Sequence, residues 1–261
     1  MRRRQMFEFN ELSLTPVFLR ESIVEILGNG FRWGRVLEPA GPVFTEFCRR
    51  AGADRVLDLC SGTGEPVSML VRGLVRHNQP VPRFHLSDLF PNVHAMQRVA
   101  DQFPGKIEPV PEPVDATDVS PEVDCPARII INAFHHFSPE VAAGILADAV
   151  NKRRAIFILE AFPRDPVRFG AALPFLVAGY LGNPLVAGQD RFKKMVFTYL
   201  LPLIGALGMW DAVVSCLRMH GEQELAGMAE QAGGESGYAW EYREVPFSPG
   251  GRCTVFFGIP E

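Results

Sequence analysis

The sequence predicts an α/β fold: a doubly wound, mostly parallel seven-stranded sheet with a terminal antiparallel hairpin and a helical cap. Three observations indicate this fold. Hydrophobic strand patterns alternate with helix-length segments between residues 55 and 162, as in βαβ units. The first strand runs into an acid and a turn of small residues, which is typical of a ligand-binding strand end. Two further strand patterns near the end of the sequence flank a Pro-Gly-Gly turn.

The parallel part of the sheet is predicted from five strand patterns, Arg55–Cys60, Arg83–Leu89, Ile107–Asp115, Arg128–Phe134 and Ala155–Phe162. Helices are predicted between them at Glu65–His77, Pro91–Phe103 and Pro139–Lys152. Two more helices are expected before the first strand, opened by Thr15-Pro16 and Glu38-Pro39, because proline is favoured at the first helical position.

The last part of the sequence departs from this alternation. A long apolar insertion follows the fifth strand, and a helix is predicted near Gly221–Gly233. The final two strands, Tyr238–Phe247 and Arg252–Ile259, are joined through Ser248-Pro-Gly-Gly251, which predicts a hairpin.

Composition narrows the functional class. A chain of 261 residues with 47% hydrophobic content can bury a large core. The net charge of −4 gives no broad basic field, so nucleic acid is not an expected partner. No apolar region follows the basic Met1-Arg-Arg-Arg start, so we expect a cytoplasmic protein. The five scattered cysteines lack a Cys-x-x-Cys pair and are expected to be reduced thiols.

Two uncharged stretches, residues 169–188 and 195–210, raise the question of a membrane role. Both are interrupted by Gly and Pro, and a spanning helix needs about 20 apolar residues. We expect a helical cap over an apolar pocket, with its apolar face buried by the protein itself. Peripheral contact with a bilayer is the alternative.

The loop after the first strand, Asp58-Leu-Cys-Ser-Gly-Thr-Gly64, lets backbone N–H groups and a helix N-terminus approach a ligand. It lacks the three-glycine spacing of a dinucleotide fingerprint. It resembles the first motif of class I S-adenosylmethionine-dependent methyltransferases, acid-x-G-x-G-x-G, with Cys60 in the place of the first glycine. Because cysteine avoids the left-handed region, we expect Cys60 to keep φ below zero. The alternative is a plain strand-to-helix turn. The resemblance implies a cofactor site that includes Asp58, Cys60, Ser61, Gly62 and Gly64.

The resemblance also assigns roles to residues that follow other strands. Asp88 matches the second motif, an acid that accepts hydrogen bonds from the ribose hydroxyls; the alternative is a helix N-cap before Pro91. Asp115 matches the acid that contacts adenine, with the backbone N–H of the next residue. The other cofactor-binding residues implied are Leu89, Ala116 and Asn132.

The fourth strand leads into Asn132-Ala-Phe-His-His-Phe-Ser138, which resembles the Asn-x-x-His-His-Phe pattern of quinone-type and other small-molecule methyltransferases. In outline it also resembles the histidine-bearing loop of plant phenol O-methyltransferases. That resemblance implies His135 as general base and leaves His136 a structural role. Glu160 ends the fifth strand and is expected either to orient an acceptor or to cap the following turn. Arg218 and His220 are weaker candidates for an anionic substrate group, and a surface arginine is the favoured interpretation of Arg218.

The resemblance implies an enzyme that transfers a methyl group from S-adenosylmethionine to O or N of a hydrophobic small molecule. The alternatives are a membrane-touching quinone or phospholipid methyltransferase, a cofactor-binding protein without methyl transfer (a binding module or cyclisation scaffold), and, least favoured, a nicotinamide oxidoreductase. No metal site is expected, and the oligomeric state is not predicted. The predicted segments are residues 1–50 (helical lid), 51–162 (cofactor-binding core), 163–212 (helical cap) and 213–261 (end of the core).

Overall fold

The computed structural model describes residues 3–186, 190–233, 237–248 and 250–261, without the side chains of residues 166, 168, 171, 172 and 175. The described residues form strands β1 Arg55–Asp58, β2 Arg83–Leu86, β3 Ile107–Pro109, β4 Ala127–Ile131, β5 Ala155–Glu160, β6 Tyr238–Phe247 and β7 Gly251–Pro260. The α-helices are α1 Val17–Gly34, α2 Gly41–Ala51, α3 Glu65–Arg76, α4 Val93–Ala100, α5 Pro139–Asn151, α6 Pro166–Val186, α7 Arg191–Met195, α8 Leu203–Arg218 and α9 Glu222–Gln231. Two 3₁₀ turns, Glu38–Ala40 and Phe134–His136, and a π-helical turn, Val196–Leu200, complete the description.

The chain divides into two compact units. The sheet unit comprises residues 37–161, 220–245 and 253–261, and the helical unit comprises residues 3–36, 162–219 and 246–252. The boundary at residue 37 assigns residues 37–50 of the predicted lid to the sheet unit. Closure of the N-terminal segment over a cofactor stays a prediction.

The sheet has the strand order β3-β2-β1-β4-β5-β7-β6. The first five strands are parallel, and β7 pairs antiparallel with β5. The order reverses between β1 and β4, and ligands of such sheets bind beyond the carboxyl ends of the strands at this reversal. The predicted sheet and its terminal hairpin are confirmed.

The parallel strands end earlier than the sequence pattern predicts. The third strand was expected to reach Asp115 but ends at Pro109. Beyond it, Val110 and Val114 are buried, and their backbone N–H groups donate to the carbonyl oxygens of Leu86 and Asp88. Because these loop residues are buried and hydrogen-bonded like strand residues, the hydrophobic pattern continues past the end of the strand.

One layer of the sheet unit is built from phenylalanine rings. Phe44 of α2 is fully buried, and its ring centroid lies 5.2 Å from that of Phe157 in β5 and 5.8 Å from that of Phe84 in β2. Phe47 reaches Phe257 of β7 at 5.7 Å. Aromatic burial of this kind fixes α2 on the sheet, so Phe44, which the sequence placed in the lid, is a core residue.

A buried ion-pair network occupies another part of this unit. Arg128 of β4 is fully buried, and its Nε and Nη2 donate to Asp124 at 2.9 and 3.0 Å. Its Nη1 donates to Asp148 at 2.6 Å, and Arg154 Nε donates a third hydrogen bond to Asp124 at 2.9 Å. Burial opposes ionisation of Asp124, but the hydrogen bonds from both arginines outweigh it and lower the pKa of Asp124. Each buried charge therefore has a partner.

The helical unit fastens the N-terminal segment to α8. Asp211 accepts hydrogen bonds from the backbone N–H groups of Phe9 and Asn10 at 2.7 and 3.0 Å. Arg218 is 3% exposed and binds both carboxylate oxygens of Glu11 at 2.7 and 2.8 Å. The interpretation of Arg218 as a surface residue is therefore wrong, because two α8 side chains hold this segment through buried polar contacts.

The apolar insertion is not buried throughout, contrary to expectation. Phe169, Leu176 and Ile204 are buried, but many of the large apolar side chains are exposed. Among the described side chains these are Val167, Val177, Leu181, Leu185, Val186, Phe192, Met195, Tyr199, Leu200, Leu201, Leu203 and Trp210. Among the described residues no single helix is long and apolar enough to cross a membrane. The helical segments Arg191–Leu200 and Leu203–Arg218 reach the required length and apolar content only when taken together, and they are bent by 78° relative to each other.

Candidate functional site

The loop that follows β1 has three residues in the left-handed region. Cys60 has φ 62°, Gly62 55° and Gly64 81°. The expectation of a negative φ at Cys60 is therefore wrong: the cysteine lies in the left-handed region that favours glycine. A non-glycine residue in this region costs roughly 1–2 kcal/mol, so contacts elsewhere in the loop must hold it there.

Hydrogen bonds to the end of β2 supply those contacts. The backbone N–H of Ser61 donates to the carbonyl oxygen of Ser87 at 2.9 Å, and the N–H of Ser87 donates to Ser61 Oγ at 3.0 Å. Gly64 lies so close to β2 that an added Cβ would be 2.6 Å from Leu86 Cδ1. The loop thus lies tightly against the neighbouring strand end, with Gly64 opening α3.

Asp58 at the end of β1 is a buried acid with an unsatisfied oxygen. Its residue exposure is 2%, and its Oδ1 has no hydrogen-bond partner among the described residues. Burial raises the pKa of Asp58 to about 8; a hydrogen bond with Ser61 opposes the rise and the nearby charge of Asp88 adds to it. A buried carboxyl group whose oxygen lacks a partner among the described residues indicates a place for a cationic or hydrogen-bond-donating ligand.

Asp88 lies just beyond β2 and contacts the same loop. Its Oδ2 accepts the backbone N–H of Gly62 at 2.9 Å, and its Oδ1 accepts that of Phe90 at 3.0 Å. The N-cap of α4 is Asn92, whose Oδ1 accepts from Ala95 N–H at 3.1 Å. The N-cap alternative for Asp88 is therefore wrong. Each of its carboxylate oxygens can accept one more hydrogen bond.

Two apolar residues follow this acid in the sequence. Leu89 is 48% exposed and Phe90 is 84% exposed, although both follow a buried strand. The sequence prediction included Leu89 and did not single out Phe90, an aromatic residue two positions after the strand-end acid.

The segment after β3 brings Asp115 to the same edge. The N–H of Val114 donates to the carbonyl oxygen of Asp88 at 2.9 Å, which connects the two acids. Asp115 Oδ1 accepts from the hydroxyl and the backbone N–H of Thr117 at 2.7 and 2.8 Å, and these bonds lower the pKa of Asp115. Asp115 is exposed, and the adjacent Ala116 is buried.

Asn132 begins the turn after β4 with φ 52°, a conformation that asparagine tolerates better than most residues. Its N–H donates to the carbonyl oxygen of Leu159 at 2.7 Å, and its Oδ1 accepts from Ala161 N–H at 3.3 Å. The side-chain oxygen thus joins the ends of β4 and β5. A cofactor contact of Asn132 stays a prediction.

The turn after β4 also produces a buried histidine–carboxylate pair. His135 Nδ1 lies 2.8 Å from Glu160 Oε2, and the backbone N–H of His135 donates to Glu160 Oε1 at 2.9 Å. His135 is 1% exposed, whereas His136 is half-buried with its ring 4.2 Å from that of His135. The sequence named both members of the pair but did not predict their contact. Parallel pairing of β4 with β5 places the two strand ends side by side.

We assign neither of two cavities in the sheet unit to the acceptor. A cavity of about 10 Å³ beside Glu160, lined also by His220 and Thr254, has room for one water molecule. A groove of about 560 Å³, lined by Arg49, Arg83 and Lys106, lies at the amino ends of β1 and β2, the edge opposite the strand-end acids. The chemistry-bearing residues therefore lie at the carboxyl edge, where ligands of doubly wound sheets bind.

No protein-family model matches the chain, and no curated protein matches its sequence. Solved structures do match its fold. An O-methyltransferase family protein from Burkholderia thailandensis has 18% identity and a TM-score of 0.50, covering 87% of this chain and 57% of that one. The methyltransferase domain of bacterial CtHen1-C has 11% identity and a TM-score of 0.50, and the match covers 86% of this chain and 98% of that domain. A third match is the O-methyltransferase NcsB1 from neocarzinostatin biosynthesis, crystallised with S-adenosyl-L-homocysteine and 1,4-dihydroxy-2-naphthoic acid. It has 15% identity and a TM-score of 0.47, and the match covers 85% of this chain and 57% of that one.

The chain thus spans a little over half of the length of the Burkholderia protein and nearly all of the CtHen1-C domain. These likenesses, together with the strand order, confirm the predicted Rossmann-like methyltransferase fold.

Proposed function

We propose that this chain is an S-adenosylmethionine-dependent methyltransferase that acts on an oxygen or nitrogen of a hydrophobic small molecule. One observation carries the proposal: three acids, Asp58, Asp88 and Asp115, gather at the carboxyl edge of the sheet around a loop with three left-handed residues. The name of the Burkholderia protein favours oxygen as the acceptor atom.

The residues fit the parts of this cofactor. Asp58 has a buried oxygen without a partner, which suits the ammonium group of the methionine portion. Asp88 is held by Gly62 and retains acceptor capacity for two ribose hydroxyls. Asp115, with the exposed side chains of Leu89 and Phe90, offers an acceptor and apolar surface for the adenine ring. When bound, S-adenosylmethionine supplies an electrophilic methyl group on a positively charged sulfur.

His135 is the residue best arranged to take a proton from the acceptor. A carboxylate can only accept hydrogen bonds, so Glu160 in that form would receive the Nδ1 proton of His135 and make Nε2 the basic nitrogen of the ring. The same carboxylate stabilises the imidazolium that forms when Nε2 takes a proton. Base catalysis of this kind contributes roughly 10²–10⁴-fold, and only for acceptors that must lose a proton.

A second candidate function is cofactor binding without methyl transfer. It is favoured by the burial of the same pair, because a histidine that is 1% exposed can also serve as a structural link between the ends of β4 and β5. The two functions share the cofactor site and differ in whether His135 has a kinetic role.

The cofactor part is tested by calorimetry with S-adenosylmethionine and S-adenosyl-L-homocysteine. We expect micromolar affinity for both, and no binding of nicotinamide dinucleotides. Asp88→Asn should weaken binding by roughly 10–100-fold, since a charge-assisted hydrogen bond contributes about 1.5–3 kcal/mol. Asp54→Asn is the matched control, because Asp54 is exposed at the opposite edge of the sheet. Equal affinities in the two variants would remove Asp88 from the site.

The catalytic part is tested by following S-adenosyl-L-homocysteine formation with a panel of hydrophobic phenols and amines. His135→Gln and Glu160→Gln should each lower turnover by roughly 10²-fold or more while cofactor affinity stays unchanged. His136→Gln is the control and should retain most of the turnover. A reversal of the two histidine results would assign the base to His136, and a panel without turnover despite cofactor binding would favour the second candidate.

A further inference from the structure

A cluster of exposed apolar side chains of the helical unit lies where α7 leads into α8. We call this feature the apex; it consists of Phe192, Met195, Tyr199, Leu200, Leu201 and Leu203. Phe192 is 78% exposed and Leu200 is 75% exposed, values unusual for large apolar side chains of a folded protein. From this feature we propose that the apex inserts into the interface of a bilayer that contains anionic lipid, so that the helical unit holds the protein at a membrane surface without crossing it.

The backbone makes the apex a projecting turn. The helical segment Arg191–Leu200 and helix α8 are bent by 78° relative to each other. Tyr199, Leu200, Leu201, Pro202 and Leu203 are all exposed, while Thr198 and Ile204 on either side are buried. Consecutive exposed residues between two buried ones place the turn at the surface with its apolar side chains outward.

Contacts with α6 hold the turn in this position. Tyr180 Oη donates to the carbonyl oxygen of Thr198 at 2.7 Å, and Tyr199 Oη donates to that of Leu181 at 2.6 Å. The Tyr180 ring packs so closely on the first turn of α8 that a Cβ at Gly205 would lie 2.2 Å from it. The protein therefore fixes the exposed leucines in place, and insertion would cost little ordering entropy.

The charges around the apex suit a lipid surface. From Met195 to Trp210 the sequence carries no charge, and Arg191 and Lys193 lie exposed at its border, where Lys193 also pairs with the exposed Asp190 at 3.0 Å. Lys194, in contrast, is buried and pairs with Glu25. An apolar surface bordered by exposed cations is the arrangement of interfacial membrane anchors, and each cation near an anionic surface contributes to binding.

The shape of the apex favours lipid over a second protein. At about 200 Å² per fully exposed large apolar side chain, the apex leaves roughly 600 Å² of apolar surface exposed. A stable protein interface needs a complementary surface on the partner, which for a projecting turn is a concave one. A bilayer interface accepts a projecting turn to a depth of about 5–10 Å and needs no such complementarity. This inference does not depend on methyl transfer.

The test is flotation of the intact protein with extruded vesicles of phosphatidylcholine alone and of phosphatidylcholine with 30% phosphatidylglycerol. We expect flotation with the anionic vesicles and weaker flotation with the neutral ones. Leu200→Asp should lower the partition coefficient about tenfold or more, because a charged side chain would replace the leucine that inserts into the bilayer. The double variant Arg191→Gln with Lys193→Gln should lower it roughly tenfold for anionic vesicles only.

Val75→Asp is the matched control, since Val75 is 58% exposed on α3 of the sheet unit and should leave flotation unchanged. Leu200→Trp gives an independent measurement: its fluorescence, compared with that of the wild type, should be quenched by brominated acyl chains. The inference is overturned if the wild type does not float with anionic vesicles, or if Val75→Asp lowers flotation as much as Leu200→Asp. It is also overturned if light scattering shows a dimer that Leu200→Asp dissociates while neither protein floats, which would make the apex a contact between copies.

Discussion

Replacing Asp58 with Asn is expected to remove a pH dependence of stability that runs opposite to that of most acids. Burial raises the pKa of Asp58 from its ordinary value of 3.8 to about 8. Between these values the folded protein holds a proton that the unfolded chain releases. The stabilisation is therefore complete below about pH 4 and is lost as the pH rises through about 8. At 1.36 kcal/mol per pH unit, the loss is on the order of 5 kcal/mol over this range.

The assay is urea denaturation of the wild type and Asp58→Asn at pH 5, 6, 7 and 8. The difference between their free energies of unfolding isolates the contribution of Asp58, because all other groups titrate in both proteins. We expect the free energy of unfolding of the variant to rise relative to that of the wild type at each pH step and to exceed it at pH 8. Parallel free energies across the range would show that Asp58 ionises normally, and the reasoning from its burial would fail.

The same acid links stability to ligand binding. A cationic ligand requires the ionised form of Asp58, so binding of S-adenosylmethionine near pH 7 should release close to one proton. Calorimetry in buffers of different ionisation enthalpy measures this number. Asp58→Asn should bind more weakly and release none, so one substitution would raise stability at pH 8 and lower affinity. Proton release unchanged in the variant would assign it to another group.

Three further predictions concern stability, each measured as a free energy of unfolding in urea. Cys60→Gly should be neutral to about 1 kcal/mol more stable, since glycine adopts the observed positive φ without strain; a loss above 1 kcal/mol would contradict that conformation. Arg128→Met should cost about 3–5 kcal/mol by removing three buried charge-assisted hydrogen bonds to Asp124 and Asp148, whereas Arg154→Met, at a 40% exposed side chain, should cost below about 1 kcal/mol; equal costs would refute the distinction. Gly205→Ala should cost about 1–3 kcal/mol through a clash with the Tyr180 ring, and an unchanged midpoint would show that the ring can move aside.

The sequence predicted the order and type of the elements well because hydrophobic period and turn chemistry are local properties. The φ of Cys60 could not be predicted in this way, since hydrogen bonds between Ser61 and Ser87 hold the loop from another strand. The pairing of His135 with Glu160 likewise depends on the register of β4 against β5.

The insertion shows a different limit of prediction. Apolar content indicated a buried cap, yet Leu200 and its neighbours are exposed. Composition reports how much apolar surface a segment carries. It does not report which part of that surface the fold covers.

The position of β7 has a consequence for biosynthesis. This strand is made after every other strand of the sheet but lies inside it, between β5 and β6. Until residues 251–260 have left the ribosome, β5 lacks its second neighbour and presents unpaired backbone groups to other nascent chains. Translation pauses between β5 and β7 would lengthen this exposure, and a chaperone that covers β5 would act only until Gly251–Pro260 pairs with it.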